Sequence, residues 1–500
     1  MAGVGVLSVA GAAGLHAQGP AAVSGLTLAD VVAVTVIHNP SIRSGEWTVR
    51  ASEGVLLSAG APFDPQLQTS AAGVQTNTPN SLTAAPLYYL QRQTAYNAAF
   101  TKMFDWGLTV SPTFSLSNAG MSLLPGAAQN SSTVGLTLGL PLLRDRWGAV
   151  TAAAEHAAER DYQGSVLDQR TNVASSVLNA AEAYWAYLAA VRTADVYAAT
   201  EARAAQTVAD TRLLVAAEER TPADLNQVLG NLSTQRAARL SADQSVIVAR
   251  QQLGLTMGLG ADSVLRLAAP ATDFPVPTPM HDSVALAALV DDAVRLRPDV
   301  AALAQHRAST HLQTQAARNS ILPRLDLQVG LGYTGLGSGW GFNNVIRTFD
   351  QNVPGLNVTV QVSTNLAIVN SGARGQVQQT SAIEHQQVIA EDDLRRHVRT
   401  DVVVAMAGLR ANADALVAAS DAVAHANETL EAQRQRFKSG LATVFDVLLS
   451  EDALTNAQLT EIGSRQAYAV AIASLRYSSG TLLANGPALA LATNALVTPP

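Results

Sequence analysis

A single stretch sets the terms for this chain. From Trp147 to Glu219 there is no proline, and Gly148 and Gly164 are the only glycines. The rest is largely Ala, Glu, Gln, Arg, Val and Leu, mostly good helix formers. A helix of ~70 residues is on the order of 100 Å long at ~1.5 Å per residue. Val173, Val177, Ala181, Tyr184, Leu188 and Val191 recur at steps of three and four, a coiled-coil-like seam. Gly375 to Lys438 has the same character. Two such helices need partner surfaces as long as themselves.

Composition narrows the classes. Charged residues are 14% of the chain and the net charge is −7, so no basic surface points to nucleic acid. The chain has no cysteine, which excludes disulfides, thiolate metal sites and a lipidated N-terminal Cys. No run of about 18–20 apolar residues is read in the sequence, so no spanning helix is expected. A membrane-spanning form would then be a closed β-barrel. Residues 1–17 read as the apolar part and cleavage region of a secretory signal with cleavage after Ala17, although no Lys or Arg precedes Arg43. The other reading is an Ala/Gly tail.

The chain is duplicated. At an offset of 258, Asn39-Pro40 falls on Arg297-Pro298, Leu28 on Leu286, Ile42 on Val300 and Pro65 on Pro323. At an offset of 222, Thr221 meets Thr443, Asp224 meets Asp446, Leu253 meets Leu475 and Gly258 meets Gly480. The two offsets differ by 36 residues, an insertion in the first copy between about Gln75 and Ser132. The organisation is a first repeat over 18–269, a Pro-rich linker over 270–281, a second repeat over 282–484 and a tail over 485–500.

Each repeat has one order of elements. Thr27 with Asp30 reads as a capping box opening a helix over 28–38, and Asn39 caps a second helix over 40–60. The matching helices are 283–296 and 298–320. Period-two alternation marks strands at 66–71 and 133–140, and at 324–329 and 356–362. Thr94–Phe100 and Leu108–Leu116, separated by Asp105-Trp106-Gly107, read as an additional hairpin that accounts for the insertion. A long helix follows, then a tight turn, then a helix to about Gly258 or Gly480.

Catalytic patterns are missing. The nine histidines show no ligand spacing; His281, His306 and His311 read as solvated helix or linker residues. Gly330, Gly332 and Gly335 match GxGxxG by letter, but the glycines continue and no helix is expected to open there, so a glycine-rich strand end and loop is the reading. No cofactor and no metal site is expected.

The carrying motifs are Asn39-Pro40, Pro65-Gln66-Leu67, Leu138-Gly-Leu-Pro-Leu-Leu143 with Trp147-Gly148, Arg297-Pro298, Leu322-Pro-Arg-Leu325 and Ser371-Gly-Ala373. The strongest runs from Arg436 through Phe-Lys-Ser-Gly-Leu-Ala-Thr-Val-Phe-Asp-Val to Leu448, continued by Leu454, Gln458 and Tyr468. In this order they resemble the TolC-like outer membrane efflux protein family over roughly 26–484. The resemblance implies a mainly α fold with β: long antiparallel helices in a trimeric α-barrel, and four strands per protomer in a shared outer-membrane β-barrel. It implies a passive exit duct of a tripartite efflux or type I secretion system, with the helices in the periplasm, an adaptor partner and an inner-membrane pump reached through it. Asp446 and Asp224 match a pore constriction; Gly440, Leu441, Thr443 and Thr221 match the adaptor-docking turns. Each aspartate also reads as a first-turn helix acid. Leu449 and Ala442 depart from the family's gate pattern, and Arg220 is the candidate substitute. A soluble periplasmic coiled-coil scaffold is the competing reading. The exported substrate is not legible.

Overall fold

The computed structural model describes residues 25–80, 87–121, 128–277, 286–339, 342–349, 355–483 and 497–498. The signal-like segment 1–17 and most of the tail lie outside them, as do His281 and the end of the linker. In chain order the helices are α1 (Leu28–His38), α2 (Pro40–Gly60), α3 (Thr151–Ala216), α4 (Pro222–Thr256), α5 (Ala261–Val264), α6 (Leu286–Leu296), α7 (Pro298–Asn319), α8 (Phe342–Ile346), α9 (Ser371–Lys438) and α10 (Val444–Ser478). The strands are β1 (Gln66–Asn80), β2 (Leu87–Met103), β3 (Thr109–Met121), β4 (Gln129–Pro141), β5 (Arg324–Ser338) and β6 (Asn357–Asn365). The described residues form two compact units. One draws on Met1–Val49, Val166–Ala302 and Glu391–Pro500, the other on Arg50–Ser165 and Leu303–Ala390.

The first unit is helical. Its main core gathers the expected seam of α3: Val177, Ala181 and Tyr184 are fully buried and Leu188 is 2% exposed, packed with Val31, Val32 and Leu253. The Tyr184 hydroxyl donates to the Thr272 carbonyl at 2.9 Å and accepts from the Thr272 amide at 2.9 Å. Ala271 N–H donates to the Leu26 carbonyl, so the start of the linker is pinned beside α1. A second cluster joins Val208 of α3, Val228 of α4, Leu430 and Phe437 of α9, and Val444, Val447 and Leu454 of α10.

The duplication is visible as a repeated junction. Gly258 and Gly480 end the α4 and α10 segments at φ +76° and +72°. A Cβ on Gly258 would meet the His38 carbonyl oxygen at 2.4 Å; one on Gly480 would meet the Arg297 amide at 3.1 Å. Only glycine fits the left-handed turn and the close approach to each helix-pair corner. At those corners Asn39 Oδ1 accepts from the amides of Ser41 and Ile42, capping α2. Arg297 instead forms ion pairs with Asp299 at 2.6 Å and Asp401 at 3.2 Å.

The second unit holds one six-stranded antiparallel sheet in the order β1-β2-β3-β4-β5-β6. The insertion is therefore a full hairpin, β2–β3, and the chain supplies six strands where the resemblance alone implied four. Register separates two faces. One carries Tyr96, Phe100, Phe114, Val134, Leu136, Leu331 and Val360; the other carries Gln68, Asn97, Thr113, Thr137, Gln328 and Thr359. Apolar residues on one face and small polar ones on the other suit a barrel with lipid outside and water inside.

Several expectations are corrected. The long helix begins at Thr151, because Trp147 sits at φ 57° in a 3-10 turn. Gly330, Gly332 and Gly335 lie inside β5, paired to β4 on one side and, for Gly330 and Gly332, to β6 on the other. Their place in the ladder leaves no open phosphate-binding turn, although the short helix α8 does open after them. His306 and His311 have carboxylate partners: Nδ1 of His306 is 3.1 Å from Asp161, and Nδ1 of His311 is 2.6 Å from Glu384. Finally, α9 contains an 18-residue window of mean hydropathy 1.5, only 28% buried, that is long and apolar enough to cross a membrane by composition. Arg410 and Asp414 interrupt the apolar run 402–419 that gives it this character.

Candidate functional site

The turns joining α3 to α4 and α9 to α10 are built alike. In the first, the amide of Glu218 donates to the Val215 carbonyl at 3.1 Å and that of Glu219 to Leu214 at 2.9 Å. In the second, Gly440 donates to Phe437 at 3.1 Å and Leu441 to Arg436 at 2.8 Å. This doublet satisfies the last carbonyls of each helix and requires its first donor to be left-handed. Gly440 supplies φ +75° without a Cβ, whereas Glu218 takes φ 62° against its steric preference.

Each following helix opens with a reciprocal capping box. The Thr221 hydroxyl accepts from the Asp224 amide while Asp224 Oδ2 accepts from the Thr221 amide at 3.2 Å. Thr443 and Asp446 repeat the arrangement, with the Thr443 amide 2.8 Å and its hydroxyl 2.7 Å from Asp446 Oδ2. Those Thr443 bonds, hydroxyl first and amide second, hold the Asp446 carboxyl below the usual carboxylate range. Both aspartates are thus first-turn acids. A capped carboxylate still carries its charge, so this position does not compete with an electrostatic role.

The two turns also touch. Arg220 Nη2 donates to the Ala442 carbonyl at 2.9 Å, and its guanidinium lies 5.1 Å from the Phe437 ring centroid. Arg220 and Ala442 occupy the same place in the two repeats, so the first copy supplies a cation to the turn where the second has only a methyl group. Behind them, Glu451 is 1% exposed. Its Oε1 accepts from Arg434 at 2.9 Å and from the Thr207 hydroxyl at 3.0 Å, tying α10 to α9 and α3. Arg203 of α3 stands nearby, its basicity lowered by burial and supported by Glu451.

An apolar row completes the second turn. Phe445 and Leu449, 61% and 59% exposed, lie four residues apart on one side of the start of α10, and Leu441 in the turn before it is 72% exposed. The first copy has Glu219, Ala223 and Gln227 at those places. Phe445, Glu451 and the Arg220 contact were not singled out from sequence. The i, i+4 spacing of Phe445 and Leu449 after the Thr443 cap was the available signal. Among the described residues no cluster of three or more His, Asp or Glu side chains could hold a metal.

Comparison with known proteins agrees with this architecture. Residues 289–481 match the outer membrane efflux protein family. The proteases secretion protein PrtF of Dickeya chrysanthemi is 26% identical over 274 residues, which span 54% of this chain and 56% of that protein. The outer-membrane channel OprN superposes with a TM-score of 0.68 at 14% identity, covering 91% of this chain and 90% of that one. The outer membrane protein VceC of Vibrio cholerae gives 0.67 at 18% identity, covering 91% and 96%. CusC gives 0.68 at 16% identity, covering 90% and 91%. The second repeat thus matches the outer membrane efflux protein family, and the chain has the fold of these outer-membrane channels over nine-tenths of its length.

Proposed function

We propose that this protein is the outer-membrane exit duct of a tripartite efflux or type I secretion system. Three copies join their sheets in the bacterial outer membrane and their long helices in the periplasm. Substrates pass through passively; a periplasmic adaptor couples the duct to an inner-membrane pump that supplies the energy. The observation that carries this reading is the two-faced sheet joined in one chain to two capped helical hairpins. Exposed apolar residues support self-association: α4 leaves Leu240, Ile247, Val248 and Leu255 exposed at steps of seven and eight, which suits packing against another helix.

In this reading Asp446 and Asp224 form the pore constriction. Repeated by threefold symmetry, the carboxylates set up a negative ring that favours cations. Gly440, Leu441, Thr443 and Thr221 form the adaptor-docking turns, with Phe445 and Leu449 extending the apolar contact. Planar-bilayer recording tests the constriction. Replacing Asp446 and Asp224 together by Lys reverses the preference for cations; unchanged conductance and selectivity would refute the assignment. Docking is tested by a Leu441→Cys variant, which cross-links to the hairpin tip of a co-expressed adaptor. Capture only from positions in the strands would reverse the docking model.

A further inference from the structure

The insertion in the first repeat adds β2 and β3 to the sheet. Both outer strands of the sheet, β1 and β6, lack a second partner within it. Leu67 on β1 and Val358, Val360 and Val362 on β6 are exposed and continue the apolar face to both margins. Lipid does not tolerate a row of unpaired backbone N–H and C=O groups. With six strands alternating in direction, β1 and β6 run antiparallel, so β6 of one copy can accept β1 of the next and the ladder closes without a mismatch.

The stagger within one chain fits such a closure. One line of paired residues runs through Gln68, Ala99, Thr113, Gly135, Gly332 and Asn357. Gln68 lies two residues from Gln66, where β1 begins, and Asn357 lies eight from Asn365, where β6 ends. The strand ends therefore climb six residues over five pairings. At about 3.3 Å per residue and 4.8 Å between strands this is a tilt of roughly 40°, inside the range of closed barrels. Every step in the line is zero or two residues. A closing step of the same kind places Thr359 opposite Ala72 or Val74 of the neighbouring copy, and keeps the polar face inward.

We infer that β6 pairs with β1 of an adjoining copy to close an eighteen-stranded barrel, and that β2–β3 is the device that widens it. The count of three copies rests on the function proposed above. At this tilt and strand spacing, eighteen strands give a backbone diameter of roughly 35 Å, against roughly 24 Å for the twelve that remain without the hairpin. The membrane end of the duct, its backbone radius about 1.5-fold greater, then admits larger solutes.

Two measurements on the full-length protein test this. The chain has no cysteine, so Thr359→Cys combined with Ala72→Cys or Val74→Cys reports only the seam. Oxidation in membranes is expected to give a ladder ending at three copies for one of the two pairs. Disulfides confined within a single chain, or none for either pair, would overturn the inference. Polyethylene glycols of graded size, added to the barrel side of single channels, should enter the native protein up to a radius at least about 1.5-fold above the limit for a variant lacking residues 87–121. Equal limits would also overturn it. A trimer that conducts and docks the adaptor but fails these tests leaves the exit-duct reading standing; a protein that forms no channel removes both.

Discussion

At the residue scale the informative groups are those whose bonds are already committed. Asp446 is held ionised by Thr443, its carboxyl depressed by the hydroxyl and amide it accepts from. A carboxyl with a folded-state pKa below its unfolded value contributes stability above the unfolded pKa and loses it as pH falls through the folded one. If Asp446 lines the proposed constriction, cation selectivity there should follow the same course, persisting into acid and then declining. Replacing Thr443 by Val removes the hydroxyl bond and moves that decline to higher pH, read from reversal potentials across a pH series; an unmoved profile would detach Asp446 from the pore. Glu451 makes a different prediction. Glu451→Leu leaves Arg434 facing a buried apolar site and is expected to cost about 3 kcal/mol. Adding Arg434→Met should restore most of that loss, because it removes the cation that Glu451 neutralises at 2.9 Å. A thermal-unfolding cycle in detergent checks this, and purely additive losses would contradict the pairing.

At the element scale the two hairpin turns are the same object with different chemistry. Glu218 holds a left-handed conformation that Gly440 adopts freely. Glu218→Gly should therefore stabilise the α3–α4 turn, and Gly440→Ala destabilise the α9–α10 turn, each by about 1 kcal/mol, in thermal unfolding followed by helical circular dichroism. Leu441→Ser with Phe445→Ser should weaken adaptor capture at least tenfold while the trimer persists. Much of this was legible in the sequence. Thr at the cap with Asp three residues on announces each box, and α1 and α2 match their expected bounds because Thr27, Asn39 and Pro40 fix them. The contact of Arg220 with Ala442 was not legible, because it joins residues 222 apart through a fold that places one turn beside the other. The apolar window in α9 escaped the sequence reading because Arg410 and Asp414 punctuate a stretch that still averages apolar.

At the scale of the whole molecule, the unsatisfied parts of one chain define its assembly. The sheet has two open edges and an apolar face; the helices leave apolar positions such as Leu240, Ile247 and Leu255 exposed. Neither feature suits a monomer in water or in lipid. Changing Leu240, Ile247 and Leu255 to Gln should lower the temperature at which the detergent-solubilised trimer dissociates. The sheet width could be read from the 36-residue difference in repeat offsets, but its closure could not, because edge strands carry no mark in sequence of the chain that will cover them. The most direct test is the copy number of the protein after extraction from membranes, measured by light scattering with the detergent contribution subtracted. Three chains per particle, released only by detergent, is the predicted result. A single chain, or release into buffer without detergent, would contradict the account.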